Sequence, residues 1–162
     1  MKNWRKKITS MLVLLMVTLL IAACGTQMSA EEIEKMKIEQ TIGRYLDGYA
    51  MNDSAQIMQV VDVPEANKAD LQAVLDQILE IVHREPYQLR ILYQIDNMMI
   101  QDGYALVKLS AVLRIYQDDS ELFSVRLFKD KDLSLIKDEY DEWKIEFSQF
   151  IPEELLKIDL LF

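Results

Sequence analysis

The chain has 162 residues, 28% charged and 51% apolar, with four glycines, three prolines, one cysteine, one histidine and a formal charge of −9. That length suits one domain, and the acidic balance lacks the basic footprint that a nucleic-acid binder needs. A single cysteine excludes an intrachain disulfide framework and a cysteine-cluster metal site, and a single histidine excludes paired-histidine ligation.

The first segment reads as an address. Lys2, Arg5, Lys6 and Lys7 form a positive start without an acid, and thirteen residues from Met11 to Ala23 follow, all apolar except Thr18. A membrane span needs about 20 apolar residues, so this run suits the apolar core of a signal peptide. It ends in Leu20-Ile21-Ala22-Ala23-Cys24-Gly25. Small residues let an extended chain enter a peptidase cleft, and the cysteine directly after them is unusual. The stretch resembles the lipobox of bacterial lipoproteins. That resemblance implies a diacylglyceryl group on the Cys24 thiol, cleavage between Ala23 and Cys24, and acylation (palmitate or a similar chain) of the new amino terminus. Two or three acyl chains, at about 0.8 kcal/mol per buried methylene, anchor stably.

Residues 1–23 are therefore expected to be removed, leaving 14 basic and 27 acidic groups and a net charge of −13. Such a domain is repelled from an anionic bilayer over about a Debye length, and a partner recognised by charge would be cationic. Residues 24–30 make a tether whose six residues after the cysteine reach about 20 Å when extended. The expected location is the extracytoplasmic face of the cell membrane. Gly25 is not the Asp that resembles an inner-membrane retention signal, so a two-membrane cell would place the protein in its outer membrane.

Residues 31–162 read as one domain. Ser29 with Glu31 and Glu32 suits a helix start, and Ile38, Ile42, Tyr45, Leu46 and Tyr49 mark one helical face. Asn52-Asp53-Ser54 breaks that helix, and Asp53 or Ser54 caps a short second one through Ile57, Met58 and Val61. A third opens after Pro64 and runs to about Arg84, with Leu71, Val74, Leu75, Ile78, Leu79 and Val82 as its apolar stripe.

At Glu85-Pro86 the period changes to two. Tyr87, Leu89, Ile91, Tyr93 and Ile95 alternate with polar residues, with Leu92 the exception, and Gln101-Asp102-Gly103 signals a hairpin. The next strand carries Ala105 to Ile115 at alternate positions, and Gln117-Asp118-Asp119-Ser120 turns the chain. Phe123, Val125 and Leu127 lead through polar Lys129–Asp132 to Leu133, Leu135 and Ile136, as one bent strand or two. A turn over Asp138–Glu142 precedes a strand with Trp143, Ile145 and Phe147 on one face, and Pro152 opens a closing helix. Helices first and a meander second give an α+β domain with helices on a curved antiparallel sheet of about four strands.

This order resembles the NTF2-like (cystatin-like cone) superfamily over about residues 31–150. Tyr45 to Val61, with Asn52-Asp53 between two helices, looks like that family's first helical corner. Leu135-Ile136-Lys137 and Trp143-Lys144-Ile145 around an acidic turn look like its last hairpin. The family contains ketosteroid-isomerase-like enzymes and many binding modules, so the resemblance implies a shape and not a chemistry. It also implies a sheet face suited to homodimerisation.

Candidate chemistry is sparse. Tyr45, Tyr49, Tyr93 and Tyr104 could line a cone, where a tyrosine hydroxyl and a protonated carboxyl, from Asp47, Asp96 or Asp102, would form an oxyanion hole. The spacing of Tyr45 and Tyr49 equally suits a core stripe. His83 sits at a helix C-terminus, where a cation is favoured. The acidic turns lack EF-hand spacing, and no GxSxG, GxGxxG, Walker loop, HExxH or paired CxxC occurs. The sequence therefore leads us to expect a lipid-anchored binding or assembly domain without catalytic residues, metal or cofactor. Its partner would be an envelope protein or a small apolar ligand, with homodimerisation through the sheet. The rival is a cone-pocket isomerase or dehydratase using a Tyr/Asp pair.

Overall fold

A computed structural model describes residues 28–83, 86–149 and 151. The leader, with Ala23 and Cys24, and the helix expected from Pro152 lie outside the described residues. The chain divides into two units, Met1–Ile33 and Glu34–Phe162. In the first, the described part is the start of α1 (Ala30–Met51). Ser29 and Glu32 form a reciprocal cap, with Glu32 N–H donating to Ser29 Oγ (3.2 Å) and Ser29 N–H to Glu32 Oε2 (2.7 Å).

In the second unit, α1 continues and ends at Asn52, whose φ of +60° reverses the chain. Asp53 caps α2 (Ser54–Val60) by accepting from the Gln56 N–H at 2.9 Å. The helix expected after Pro64 begins with one tight turn, Glu65–Asn67, before α3 (Lys68–Val82). Val74, expected on its apolar stripe, is 45% exposed, while Leu75, Ile78, Leu79 and Val82 are buried.

Five strands form one sheet, in the order β1-β5-β4-β3-β2. They are β1 (Val61–Asp62), β2 (Gln88–Gln101), β3 (Tyr104–Gln117), β4 (Ser120–Lys137) and β5 (Trp143–Glu146). The fold is α+β, with helices against a curved sheet, as expected. The strand count is one higher than expected, and the sheet is mixed. Val61, read from sequence as the end of a helix, is extended and pairs in parallel with Ile145. A two-residue strand leaves no period to read, and Pro64 two residues beyond Asp62 helps to stop the helix.

Bulges explain the remaining irregularities. A register shift between Ile95 and Asn97 moves the inward positions of β2 from odd to even numbers, so Met98 and Ile100 face the core side with Val107 and Ala105. β4 is one strand, bent where Ser110 opposes Lys129-Asp130; Asp130 has φ +48° and donates its N–H to Ser110 Oγ (3.3 Å). Phe147, expected to share the face of Trp143 and Ile145, instead lies in a tight turn and is 36% exposed.

The core lies between α1, α2, α3 and the inward side of β3, β4 and β5. Ile38, Ile42, Tyr45, Ile57, Leu75, Val107, Leu109, Ile115, Leu135 and Ile145 are all exposed by 1% or less. Gly48 sets the approach of α1 to α2, since a Cβ there would stand 2.5 Å from Ile57 Cγ1 and 3.1 Å from the Asp53 carbonyl oxygen. Alanine would gain about 1 kcal/mol in helix propensity, but a 2.5 Å approach to a branch carbon puts the overpacking in the upper part of its usual range, about 2–3 kcal/mol. Gly48→Ala is therefore expected to destabilise by about 1–2 kcal/mol, read as a lower urea midpoint at unchanged slope. An unchanged or raised midpoint would show that the two helices separate freely.

Candidate functional site

The four tyrosines do not converge. Tyr45 and Tyr49, one turn apart on α1, are 0% and 2% exposed, and their rings meet edge to face with centroids 5.2 Å apart. Burial raises both phenol pKa values well above the usual tyrosine value. The Tyr45 hydroxyl donates to the Gln149 carbonyl at 3.5 Å. Tyr93, on β2, is 41% exposed and lays its hydroxyl against Gly43 of α1, where a Cβ would stand 3.2 Å away. Burial, then the charges of Asp47 and Glu39, raise its pKa. Tyr104 lies on the opposite, outward side of the sheet, in register with Ile136, its hydroxyl 3.1 Å from Ser134 Oγ.

The acids named with them have other tasks. Asp47 is exposed, Asp102 occupies a turn with φ +40°, and Asp96 accepts from Gln94 Nε2 (2.7 Å) and Ser110 Oγ (3.1 Å). Every described Asp and Glu reaches solvent. His83 is half-buried, and its Nε2 donates to the Tyr49 carbonyl at 2.6 Å, tying the end of α3 to α1.

The acidic turns are backbone devices. Asp102-Gly103 and Asp118-Asp119 both have two consecutive positive φ angles, the geometry of two-residue hairpins. Asp138 accepts from the N–H groups of Tyr140 (2.9 Å) and Glu142 (3.0 Å), which together with Lys144 lower its pKa. Among the described residues no group of three or more His, Cys, Asp or Glu side chains is placed to hold a metal ion.

Sequence reasoning missed a charged clamp between α1 and the β4–β5 hairpin. Glu34 Oε2 accepts from the Trp143 indole N–H (2.8 Å) and pairs with Lys137 (3.0 Å), while Oε1 pairs with Lys37 (3.0 Å). Lys137 also pairs with Asp141 (2.6 Å) and stands 5.3 Å from the Trp143 ring centroid. Thr41 Oγ1 adds a buried bond to the Trp143 carbonyl at 3.3 Å. Lys137 first, then Lys37, pull the Glu34 carboxyl down to about 2. The sequence signal for this clamp is slight, because its partners are about a hundred residues apart.

Beside the clamp is an open groove of about 550 Å³. Its helical wall is Lys37, Gln40, Thr41 and Arg44, and the turn from Tyr140 to Lys144 faces it, with Gln59 and Val60 closing a third side. Lys144 is held by Glu142 (2.8 Å) and by the Gln59 carbonyl (2.9 Å). A shallower groove of about 360 Å³ over Gly43 and Tyr93 shares Gln40 and Arg44. The lining is charged and amidic, so the groove suits recognition of a polar ligand.

No family model matches the chain, and no curated protein does. Solved structures do. A protein of unknown function from Mycobacterium tuberculosis matches at 14% identity and TM-score 0.52, over 70% of this chain and 72% of its own. A conserved protein from Planctomyces limnophilus matches at 13% and 0.51, over 70% and 91%. A protein from Kribbella flavida matches at 15% and 0.52, over 71% and 87%. At these identities the likeness shows the shared fold alone.

The clamp gives a pH dependence of definite sign. Glu34 titrates near 2 when folded against an ordinary 4.5, so its contribution is complete above about 4.5 and is lost as pH falls toward 2. The Glu34 side chain is about a quarter exposed, so the contribution is put at about 1–2 kcal/mol. Glu34→Gln is expected to lower stability by that amount at pH 7 and to flatten its fall between pH 4.5 and 2, measured by denaturant unfolding. An equal acid dependence in the variant would remove Glu34 from this role.

Proposed function

We propose that the protein is a lipid-anchored lipoprotein on the extracytoplasmic face of a bacterial membrane, whose cone domain binds a ligand or partner without transforming it. The leader supports the anchor: a basic start, a short apolar run, small residues and Cys24 stand in the required order. Among the described residues no helix is long and apolar enough to cross a membrane, so the anchoring assigned here rests on the thiol of Cys24.

The observation that carries the binding role is the placement of polar groups. Tyr45 and Tyr49 are sealed in the core, every described carboxylate reaches solvent, and the polar groove lies along the solvent-facing side of α1. An oxyanion hole of the isomerase type uses a carboxyl kept neutral by an apolar site, and solvated carboxylates ionise. A second copy would dock on the outward side of the sheet, where Leu92, Met99 and Tyr104 are exposed.

Anchoring is tested by feeding a labelled palmitate analogue to a bacterial host that expresses the full chain. The wild type is expected to take up label and sediment with membranes, and Cys24→Ser to lose both. A Cys24→Ser protein that keeps the label and still sediments fully with membranes would overturn the assignment.

A further inference from the structure

We infer that the groove between α1 and the β4–β5 turn binds a short peptide with free ends, gripping its carboxylate with Arg44 and its amino group with Asp141. This rests on the binding role proposed above and names the ligand class.

The groove's ionic groups differ in what they have left to offer. Lys37 is paired with Glu34 and lies 4.0 Å from Asp141, and Lys144 is paired with Glu142 and Asp138. Arg44 is different. Its backbone carbonyl accepts from Gln56 Nε2 at 2.8 Å, but its exposed guanidinium has no ion pair or hydrogen bond among the described residues. A guanidinium presents a planar fork of donors that matches a carboxylate. Gln40, one turn back on the same wall, adds an amide.

The opposite sign stands at the other end. Asp141 is held by Lys137 through Oδ1, and its side chain is 69% exposed. A carboxylate has about four acceptor sites, so it retains capacity for an ammonium group. Asp141 Oδ2 lies 4.0 Å from Lys37 Nζ, and Lys37 is seven residues before Arg44, which at 1.5 Å per residue is about 10 Å along the helix. Three extended residues at about 3.3–3.6 Å each span that distance. The groove's 550 Å³ lies within the usual range for a small-ligand site, about 300–1,000 Å³. The exposed Tyr140 ring offers a flat surface for the peptide between its charged ends.

The test is calorimetric titration of the full-length protein in detergent with trialanine, N-acetyl-trialanine and trialanine amide, followed by mass spectrometry of the recovered peptide. Trialanine is expected to bind, and each blocked peptide to bind at least about tenfold more weakly. Arg44→Gln should abolish the difference between trialanine and its amide. Arg126→Gln, an exposed arginine on the outward side of the sheet, should change nothing and serves as the folded control. Absence of binding at millimolar trialanine, or binding unaffected by Arg44→Gln, would overturn the inference while leaving Cys24-dependent anchoring intact. Binding followed by cleavage would support the peptide site and overturn the non-catalytic role.

Discussion

The structure depends on α1 lying in the hollow of the sheet. From Ile38 to Tyr49 its inward face is sealed, with the rings of Tyr45 and Tyr49 buried in the core. A pair of buried aromatic rings meeting edge to face adds about 0.5–1.5 kcal/mol beyond the area it removes from water. The helix is fixed along its length. Glu34 and Thr41 hold it to Trp143, Gly48 admits Ile57 of α2, and the Tyr49 carbonyl accepts from His83 of α3. Sliding the helix by one turn would break all of these together.

A filled hollow moves the useful chemistry outward. Among the described residues no ionised side chain is fully buried, because desolvating an unpaired charge costs far more than a surface ion pair returns. Ionised groups gather instead where α1 meets the β4–β5 turn, and there they divide into two sets. Glu34, Lys37 and Lys137 satisfy one another and hold the turn in place through Asp141, whose exposed carboxylate keeps an open side. Arg44 and Gln40 are left facing solvent on the same helix. The clamp thus builds one wall of the groove and fixes its distance from the other. If the lipid tether proposed above holds, such a site would meet material present at the membrane surface.

Much of the fold was legible in the sequence because burial imposes a period. The α1 face from Ile38 to Tyr49, the stripe of α3 and the alternation of β3 each meet the core on one side, so their spacing reports it. Asp102-Gly103 and Asp118-Asp119 marked hairpins because few other residues accept positive φ. The reading failed where the period carries no message. β1 is two residues long, the bulges at Ile95–Asn97 and Asp130 exchange odd for even positions, and Phe147 leaves the strand that its spacing suggested. The site was less legible still. Tyr45 and Tyr104 are equally plausible cone residues on paper, yet the sheet separates them. The clamp joins residues 34 and 143, and a contact at that range leaves no spacing to read.

The central claim is that recognition takes place on the solvent side of α1 and not within the hollow of the sheet. Amide chemical shifts of the full-length protein in detergent micelles, followed during titration with trialanine, test it directly. The account predicts concentration-dependent shifts at Gln40, Arg44, Gln59 and Asp141, with Val107, Leu109 and Ile115 of the core unmoved. Shifts confined to those core positions and to Tyr45 and Tyr49, with the groove silent, would contradict it.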